Sequence, residues 1–308
     1  MAPILVTGAH RSGTTWVGKV LAASPGHAYV SEPLHVHHSR GVMAAPVDHW
    51  YTYICEENQR PFLTAYRDTL QFRYRPLLAL KHARSVRDAL KVTRDLPRFF
   101  WLRSAGSQPV LKDPFAVFSA PWFQRRLGCR VVITVRHPLG FVSSLKRLGW
   151  SFDFRHLLAQ PLLIRDHLGD FQQDMLQVQQ DEGDIIQEGI LLWKMIYSVV
   201  AQYRERVDDF VILRHEDLSM EPMGYFSEVC SKLEVRFSGP VQDKIRQTTQ
   251  QENPRELPEH DEHAVTLDSR ANLTNWQHRL TSTEVERIIN ATADSLFGFY
   301  EPEEWKHW

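Results

Sequence analysis

Hydrophobic positions in this chain fall into a few short continuous runs separated by longer stretches of helical periodicity. Pro3-Ile-Leu-Val-Thr-Gly8 is an apolar run ending in glycine, and the apolar residues of Trp16-Val-Gly-Lys-Val-Leu-Ala-Ala after it recur at helical spacing. That order predicts a buried strand, a glycine loop and a helix. Arg130-Val-Val-Ile-Thr-Val135 repeats it: a β-branched run breaks at Arg136-His-Pro138, and a helical pattern resumes at Leu139. Two more runs, Pro109-Val-Leu-Lys112 and Phe210-Val-Ile-Leu213, follow helical stretches at 92–103 and 185–206. A further short strand is expected just before Glu32. Strands that are apolar on both sides and alternate with helices predict an α/β fold, a parallel sheet covered by helices.

Composition narrows the function. The 308 residues, 43% of them hydrophobic, are enough to bury roughly three quarters of the unfolded surface. One domain over residues 1–308 is expected, with helical insertions at about 34–105 and 150–188. With 36 Lys+Arg against 37 Asp+Glu, net charge −1, the whole molecule lacks the cationic field that drives nucleic-acid or nonspecific membrane binding. Any electrostatic function is therefore local. No apolar run reaches the ~18 to 20 residues of a membrane span, and the first strand starts at Pro3, which leaves no room for a leader; a soluble, cytoplasmic protein is expected. Cys55, Cys129 and Cys230 form no C-x-x-C pair, so neither disulfides nor a zinc site is indicated.

Charge is unevenly spread. Residues 60–103 carry eleven Lys/Arg against three Asp/Glu, and residues 153–188 reverse this with eight acids and two bases. The two runs read as solvated helix faces or as a mutual contact. The alternative is that the basic run flanks a cleft for an anionic ligand.

Gly8-Ala-His-Arg-Ser-Gly13-Thr14-Thr15 has the glycine spacing of a P-loop, in which backbone N–H groups and a helix start hold an anion. The lysine of G-x-x-x-x-G-K-[ST] is missing: Thr14 stands there, and Arg11 supplies a cation inside the loop instead. The strand at 131–135 ends in Arg136 rather than in an Asp suited to Mg²⁺, so the loop fits an anion but not Mg-ATP chemistry.

These residues carry a family resemblance. Arg11-Ser-Gly-Thr-Thr-Trp16 resembles the 5′-phosphosulfate loop of sulfotransferases that use 3′-phosphoadenosine 5′-phosphosulfate (PAPS). Val131-Val-Ile-Thr-Val-Arg136 with Ser143-Ser144 on the next helix resembles their 3′-phosphate motif. The resemblance implies a P-loop-like sulfotransferase fold, PAPS as co-substrate, adenosine 3′,5′-bisphosphate as product, and transfer to a hydroxyl-bearing acceptor. Two separated charges on PAPS call for two anion sites, and an arginine fork with a hydroxyl suits a phosphate. Arg136 with Ser144 is assigned to the 3′-phosphate, and Arg11, Ser12, Gly13, Thr14 and Thr15 to the 5′-phosphate. Trp16 matches a position that lies against adenine, with a core role as the alternative. His215, in Leu213-Arg-His-Glu-Asp-Leu218, replaces the tyrosine of a family block that touches adenine, and Arg270 matches a segment closing over the 3′-phosphate.

Sulfuryl transfer needs a base for the acceptor proton and positive charge at the leaving oxygen. Arg11 and Lys112 are the candidate cations, so no metal is required. Lys112, in Val110-Leu-Lys-Asp-Pro114, resembles the Lys-Asp-Pro motif of tyrosylprotein and carbohydrate-type sulfotransferases, and Pro114 stands where the cytosolic phenol-type enzymes place a His base. Glu32 resembles the glutamate base of those Glu-type branches, which points to a carbohydrate or small-metabolite acceptor. Alternative bases are His35, His37 and His38, whose spacing is a weak metal signal. Alternative functions are a P-loop kinase-like phosphotransferase and a non-catalytic nucleotide-binding protein of the same fold.

Overall fold

The computed structural model describes residues 2–181, 183–206, 209–257 and 264–307. Five strands form one sheet: β1 (Ile4–Gly8), β2 (His27–Ser31), β3 (Gln108–Lys112), β4 (Arg130–Val135) and β5 (Val211–Arg214), in the order β2-β3-β1-β4-β5. Every neighbouring pair is parallel, as the continuous apolar runs predict. The pairing sets Gly8 opposite Thr134, Ser31 opposite Lys112 and Val135 opposite Arg214. The carboxyl ends of the strands thus lie along one edge, and the chain leaves β1 toward β2 and β3 on one side and reaches β4 and β5 on the other. In such sheets the crevice at that switch point receives the ligand.

Side chains alternate between two cores, as the period of a strand requires. Ile4, Val6, Val110, Val132 and Leu213 pack with Val17, Val20 and Leu21 of the helix Thr14–Leu21 and with the helices Pro222–Lys232 and Gly239–Thr249. Leu5, Leu111, Val131 and Ile133 face the other side, which the helix Pro138–Leu148 and the long helix Ile185–Arg206 cover. Both faces are buried, which is why the strands read as uninterrupted apolar runs rather than alternating ones.

The basic run folds as three helices, Arg60–Leu70, Pro76–Lys81 and Val86–Ser104, the last capped by the Ser85 hydroxyl accepting from the Asp88 N–H at 3.2 Å. Its ion pairs close on its own Asp68, Asp88 and Asp95, whereas those of the acidic run close on Arg155, Arg165 and Arg287. Among the described residues no ion pair joins the two runs, so the expected mutual contact is corrected to two separate surfaces. All three cysteines are free thiols, with Cys129 and Cys230 buried. Among the described residues no helix is long and apolar enough to cross a membrane.

Candidate active site

The glycine loop is built by close approach. A Cβ on Gly8, φ 143°, would stand 2.3 Å from the Thr134 carbonyl oxygen of β4, and one on Gly13, φ 94°, would stand 2.7 Å from His215 Nδ1. Between them Arg11 also adopts a left-handed backbone, φ 66°, which costs a non-glycine residue about 1 kcal/mol. The strain is held in place by Arg136, whose Nη1 donates to the Arg11 carbonyl at 2.7 Å. Arg11 Nε donates to Ser144 Oγ at 3.1 Å, and its guanidinium lies 5.5 Å from the Trp150 ring centre. The residues assigned to two separate phosphates are therefore in direct contact.

Ser12 has a different place from the one expected. Its N–H donates to the Ala9 carbonyl at 3.2 Å, its hydroxyl donates to that same oxygen, and Thr134 Oγ1 lies 2.7 Å away. Both polar groups are used inside the loop, so Ser12 shapes the turn. Thr14 and Thr15 do line the cavity. The helix they begin has no side-chain cap and no acid in its first turn, which leaves its leading N–H groups for an anion.

Glu32 and Lys112 meet as an ion pair between Oε1 and Nζ. β2 and β3 deliver them side by side, because Ser31 pairs with Lys112 and the Glu32 N–H donates to the Lys112 carbonyl at 2.7 Å. The Lys112 side chain is wholly inaccessible and that of Glu32 is 18% exposed. Gly18 makes room: a Cβ there would press Lys112 Cβ at 3.0 Å, which explains a glycine in the middle of a helix. Glu32 is itself left-handed, φ 46°. Buried Asp113 secures that turn, accepting from the Leu34 N–H at 2.5 Å and the Phe115 N–H at 3.1 Å. Burial, with the nearby Glu32 charge adding to it, pushes the Asp113 carboxyl up to about 8.

At the other end, Arg136 is almost fully buried and burial lowers its guanidinium to about 10. Its Nε, the Arg147 Nε and the His215 Nδ1 are buried with no partner among the described residues, and all three residues line the same cavity. Asn272 Nδ2 donates to His215 Nε2 at 3.1 Å. Burial holds the ring neutral, with Arg136 and then Arg11 reinforcing it, so the proton sits on Nδ1 as a donor. Unmade donors of this kind are costly in a closed fold and mark a place for an acceptor-rich ligand. Ser144 lines the cavity, whereas the Ser143 hydroxyl turns back to the Gly140 carbonyl at 3.2 Å.

The cavity, about 690 Å³, spans both ends. Trp16 borders it and also donates from Nε1 to Thr248 Oγ1 at 3.0 Å and packs edge-on to Phe226, so it is a core residue with one edge at the cavity. No residue of the basic run 60–103 lines it, so that run does not flank the cleft as one reading expected. Arg270 is exposed and donates to the Met220 carbonyl from Nε and Nη2, outside the lining. Arg279 and Arg147 line it instead, both bound to the Glu256 carboxylate. Sequence reading missed them, although Arg147 stands three residues beyond Ser144, on the same helix face.

The remaining wall is aromatic and comes from the start of each insertion: His35 and Trp50 from one, Trp150, Phe152 and His156 from the other. His10, also missed, sits among Tyr51, Phe115, Phe141 and Trp150, with Nδ1 2.7 Å from the Tyr51 hydroxyl. Burial, with the Arg11 charge, lowers it to about 3. Of the three neighbouring histidines, burial lowers His35 to about 4, His37 also borders the cavity, and His38 turns to the Met43 carbonyl. Among the described residues no group of three or more His, Cys, Asp or Glu is placed to hold a metal ion.

Fold and site together define an α/β protein with a cavity at the sheet edge lined by Arg11, Arg136, Arg147 and Arg279 and by Glu32. Residues 3–239, well over half of the chain, match the model of the sulfotransferase family, and the chain belongs to that family as a sulfotransferase. No curated protein sequence matches it. Similar solved structures include the sulfotransferase domain from the Synechococcus PCC 7002 olefin synthase, 15% identical over 95% of this chain and 94% of that one, TM-score 0.46. The sulfotransferase domain from the curacin biosynthetic pathway is 14% identical over 95% and 97%, TM-score 0.46. Mouse sulfotransferase SULT7A1 complexed with PAP is 10% identical over 99% and 88%, TM-score 0.47.

Proposed function

We propose that this sulfotransferase moves the sulfuryl group of PAPS to a hydroxyl of a carbohydrate or small-metabolite acceptor. The observation that carries this reading is the set of unpartnered buried donors, Arg136 Nε, Arg147 Nε and His215 Nδ1, at one end of a cavity whose other end is lined by Glu32, with the buried Lys112 paired to it behind the wall. A nucleotide with a phosphate at each end of its sugar spans such a site. Arg136, Arg147, Arg279 and Ser144 hold the 3′-phosphate, the helix start at Thr14 and Thr15 holds the 5′-phosphate, and the Trp16 and His215 edges flank the base.

Glu32 takes the acceptor proton while the acceptor oxygen bonds to sulfur and the bond from sulfur to the phosphate oxygen breaks. Protonation of Glu32 removes the counter-ion of Lys112, so its ammonium becomes available to the departing phosphate as charge develops there. Arg11, held by Ser144 and Arg136, adds the second cation. The aromatic wall of Trp50, Trp150 and Phe152 offers flat apolar faces to the acceptor ring. Adenosine 3′,5′-bisphosphate release from PAPS, measured for Glu32→Gln, Arg11→Ala and Lys112→Ala with an acceptor found by screening, is expected to fall in all three variants. Near-normal turnover in all three would overturn the assignment.

A further inference from the structure

Helix Val86–Ser104 is apolar on two opposite sides. Val92, Phe99 and Leu102 face the core, whereas Val86, Leu90, Leu96, Phe100 and Trp101 are exposed. At about 100° per residue the exposed five fall within an arc of about 140°, with Ala89, Thr93, Pro97 and Ser104 inside it. Phe100 and Trp101 are 72% and 65% accessible, and seven of the nine large hydrophobic side chains exposed among the described residues lie in the segment from Leu77 to Trp101. A contiguous stripe of this kind marks a surface that is covered in function.

The charges match it. On the same projection Arg87 and Arg94 follow one border of the arc and Arg103 the other, Arg98 beside the first border being turned back to the Tyr29 carbonyl at 3.0 Å, while Asp88 and Asp95 fall on the opposite side, toward the core. From residue 84 to residue 103 there are six Lys/Arg against two Asp. We propose that this helix docks the protein on an anionic lipid surface, its Leu, Phe and Trp side chains in the headgroup boundary and its arginines on the headgroups. Its 19 residues lie along the surface rather than cross it. A second copy seated on the stripe would set basic border against basic border. Nucleic acid would satisfy the arginines but leave Leu90, Phe100 and Trp101 in water. The arc offers a protein partner only two hydroxyls, Ser104 and a Thr93 hydroxyl already donating to the Leu90 carbonyl at 2.8 Å, which is what a fluid apolar phase tolerates. Arg84, two residues before the helix, has Nη1 2.5 Å from His37 Nδ1 and does not itself line the cavity. The inference stands on this surface alone and does not rest on the sulfuryl-transfer reading.

Co-sedimentation of the full chain with phosphatidylglycerol-containing vesicles tests it, against pure phosphatidylcholine vesicles and at rising salt. Binding to the anionic vesicles is expected, weakened by salt, and reduced at least about tenfold both in Leu90→Ser/Phe100→Ser/Trp101→Ser and in Arg87→Glu/Arg94→Glu/Arg103→Glu. Unchanged melting temperatures for both exposed-face variants exclude misfolding as the cause. No sedimentation with anionic vesicles, or binding that ignores the apolar variant, would overturn the proposal. So would a salt-resistant dimer in sedimentation equilibrium that the apolar variant dissociates, or capture of an acidic protein through this face without vesicle binding.

Discussion

Two regions of this molecule are rich in cations, and they use them in opposite ways. At the cavity, Arg136 and Arg279 in its lining and Lys112 behind it are withdrawn from water, and each is tied to a group from another part of the chain: the Arg11 carbonyl, Glu256 and Glu32. On the helix Val86–Ser104 the cations are exposed, and their ion pairs are local, Lys91 to Asp88 and Arg94 to Asp95. The first arrangement fixes charge in place for one small anion. The second spreads a screened field over a surface and leaves it adjustable by salt.

The largest expected difference between them is in turnover. Arg136→Ala should lower kcat/KM by about 10² to 10³, because truncating one partner of a buried, hydrogen-bonded charge contact to the 3′-phosphate costs about 2 to 5 kcal/mol, whereas Arg87→Ala should leave turnover of a soluble acceptor unchanged. Steady-state assays on the two variants sharpen the contrast, and equal losses would break it. Glu32→Gln should lower turnover by about 10² or more, the lower range for loss of a general base, with bisphosphate binding nearly intact. Glu32→Ala adds a cost to the fold of about 3 kcal/mol, because Lys112 keeps a buried charge without its partner. Denaturant titration should show that shift, and none for Asp88→Ala on the exposed helix.

A smaller effect lies in pH. His10 is held neutral in the fold, at about 3 against an ordinary 6.5, so below 6.5 the unfolded chain takes up a proton that the folded chain refuses. The stability this residue supplies is complete above 6.5 and drains away as pH falls toward 3. His10→Gln should flatten the stability curve between pH 6.5 and 4.5 by about 1.4 kcal/mol per pH unit. Asp113, raised to about 8, works in the other direction between its ordinary value and 8, and Asp113→Asn should remove that opposing slope. The smallest expected effect is that of Arg270→Ala, whose bisphosphate affinity should match the unaltered protein, whereas Arg279→Ala should weaken it about tenfold. Calorimetric titration separates the two arginines.

What could be read from the chain beforehand follows the same division. A strand, a glycine loop and a helix in succession are local, so the loop at Gly8–Thr15 was legible, and a return strand ending just before Glu32 was expected from spacing; that Ser31 pairs with Lys112 and sets Glu32 beside it is seen only in the fold. Arg147 and Arg279 were not, because Glu256 joins them across more than a hundred residues of chain. The resemblance pointed to Arg270 and gave no sign of Arg279; the 3₁₀ turn Ala271–Thr274 and the short helix Trp276–Arg279 carry the later arginine round to the cavity. Ser12 looked like an anion donor by motif, yet the loop consumes both of its polar groups. The basic run was conspicuous in composition, but only its packing shows that its acids turn inward and its arginines outward. A net charge of −1 averages both regions away.

The most direct test of the buried cations is a calorimetric titration with adenosine 3′,5′-bisphosphate, set against ATP with Mg²⁺, on the unaltered chain and on Arg136→Ala. One-site binding of the bisphosphate without metal, at least about tenfold tighter than Mg-ATP and lost with Arg136, is the expected result. Tighter binding of Mg-ATP, or bisphosphate affinity indifferent to Arg136→Ala, would contradict it.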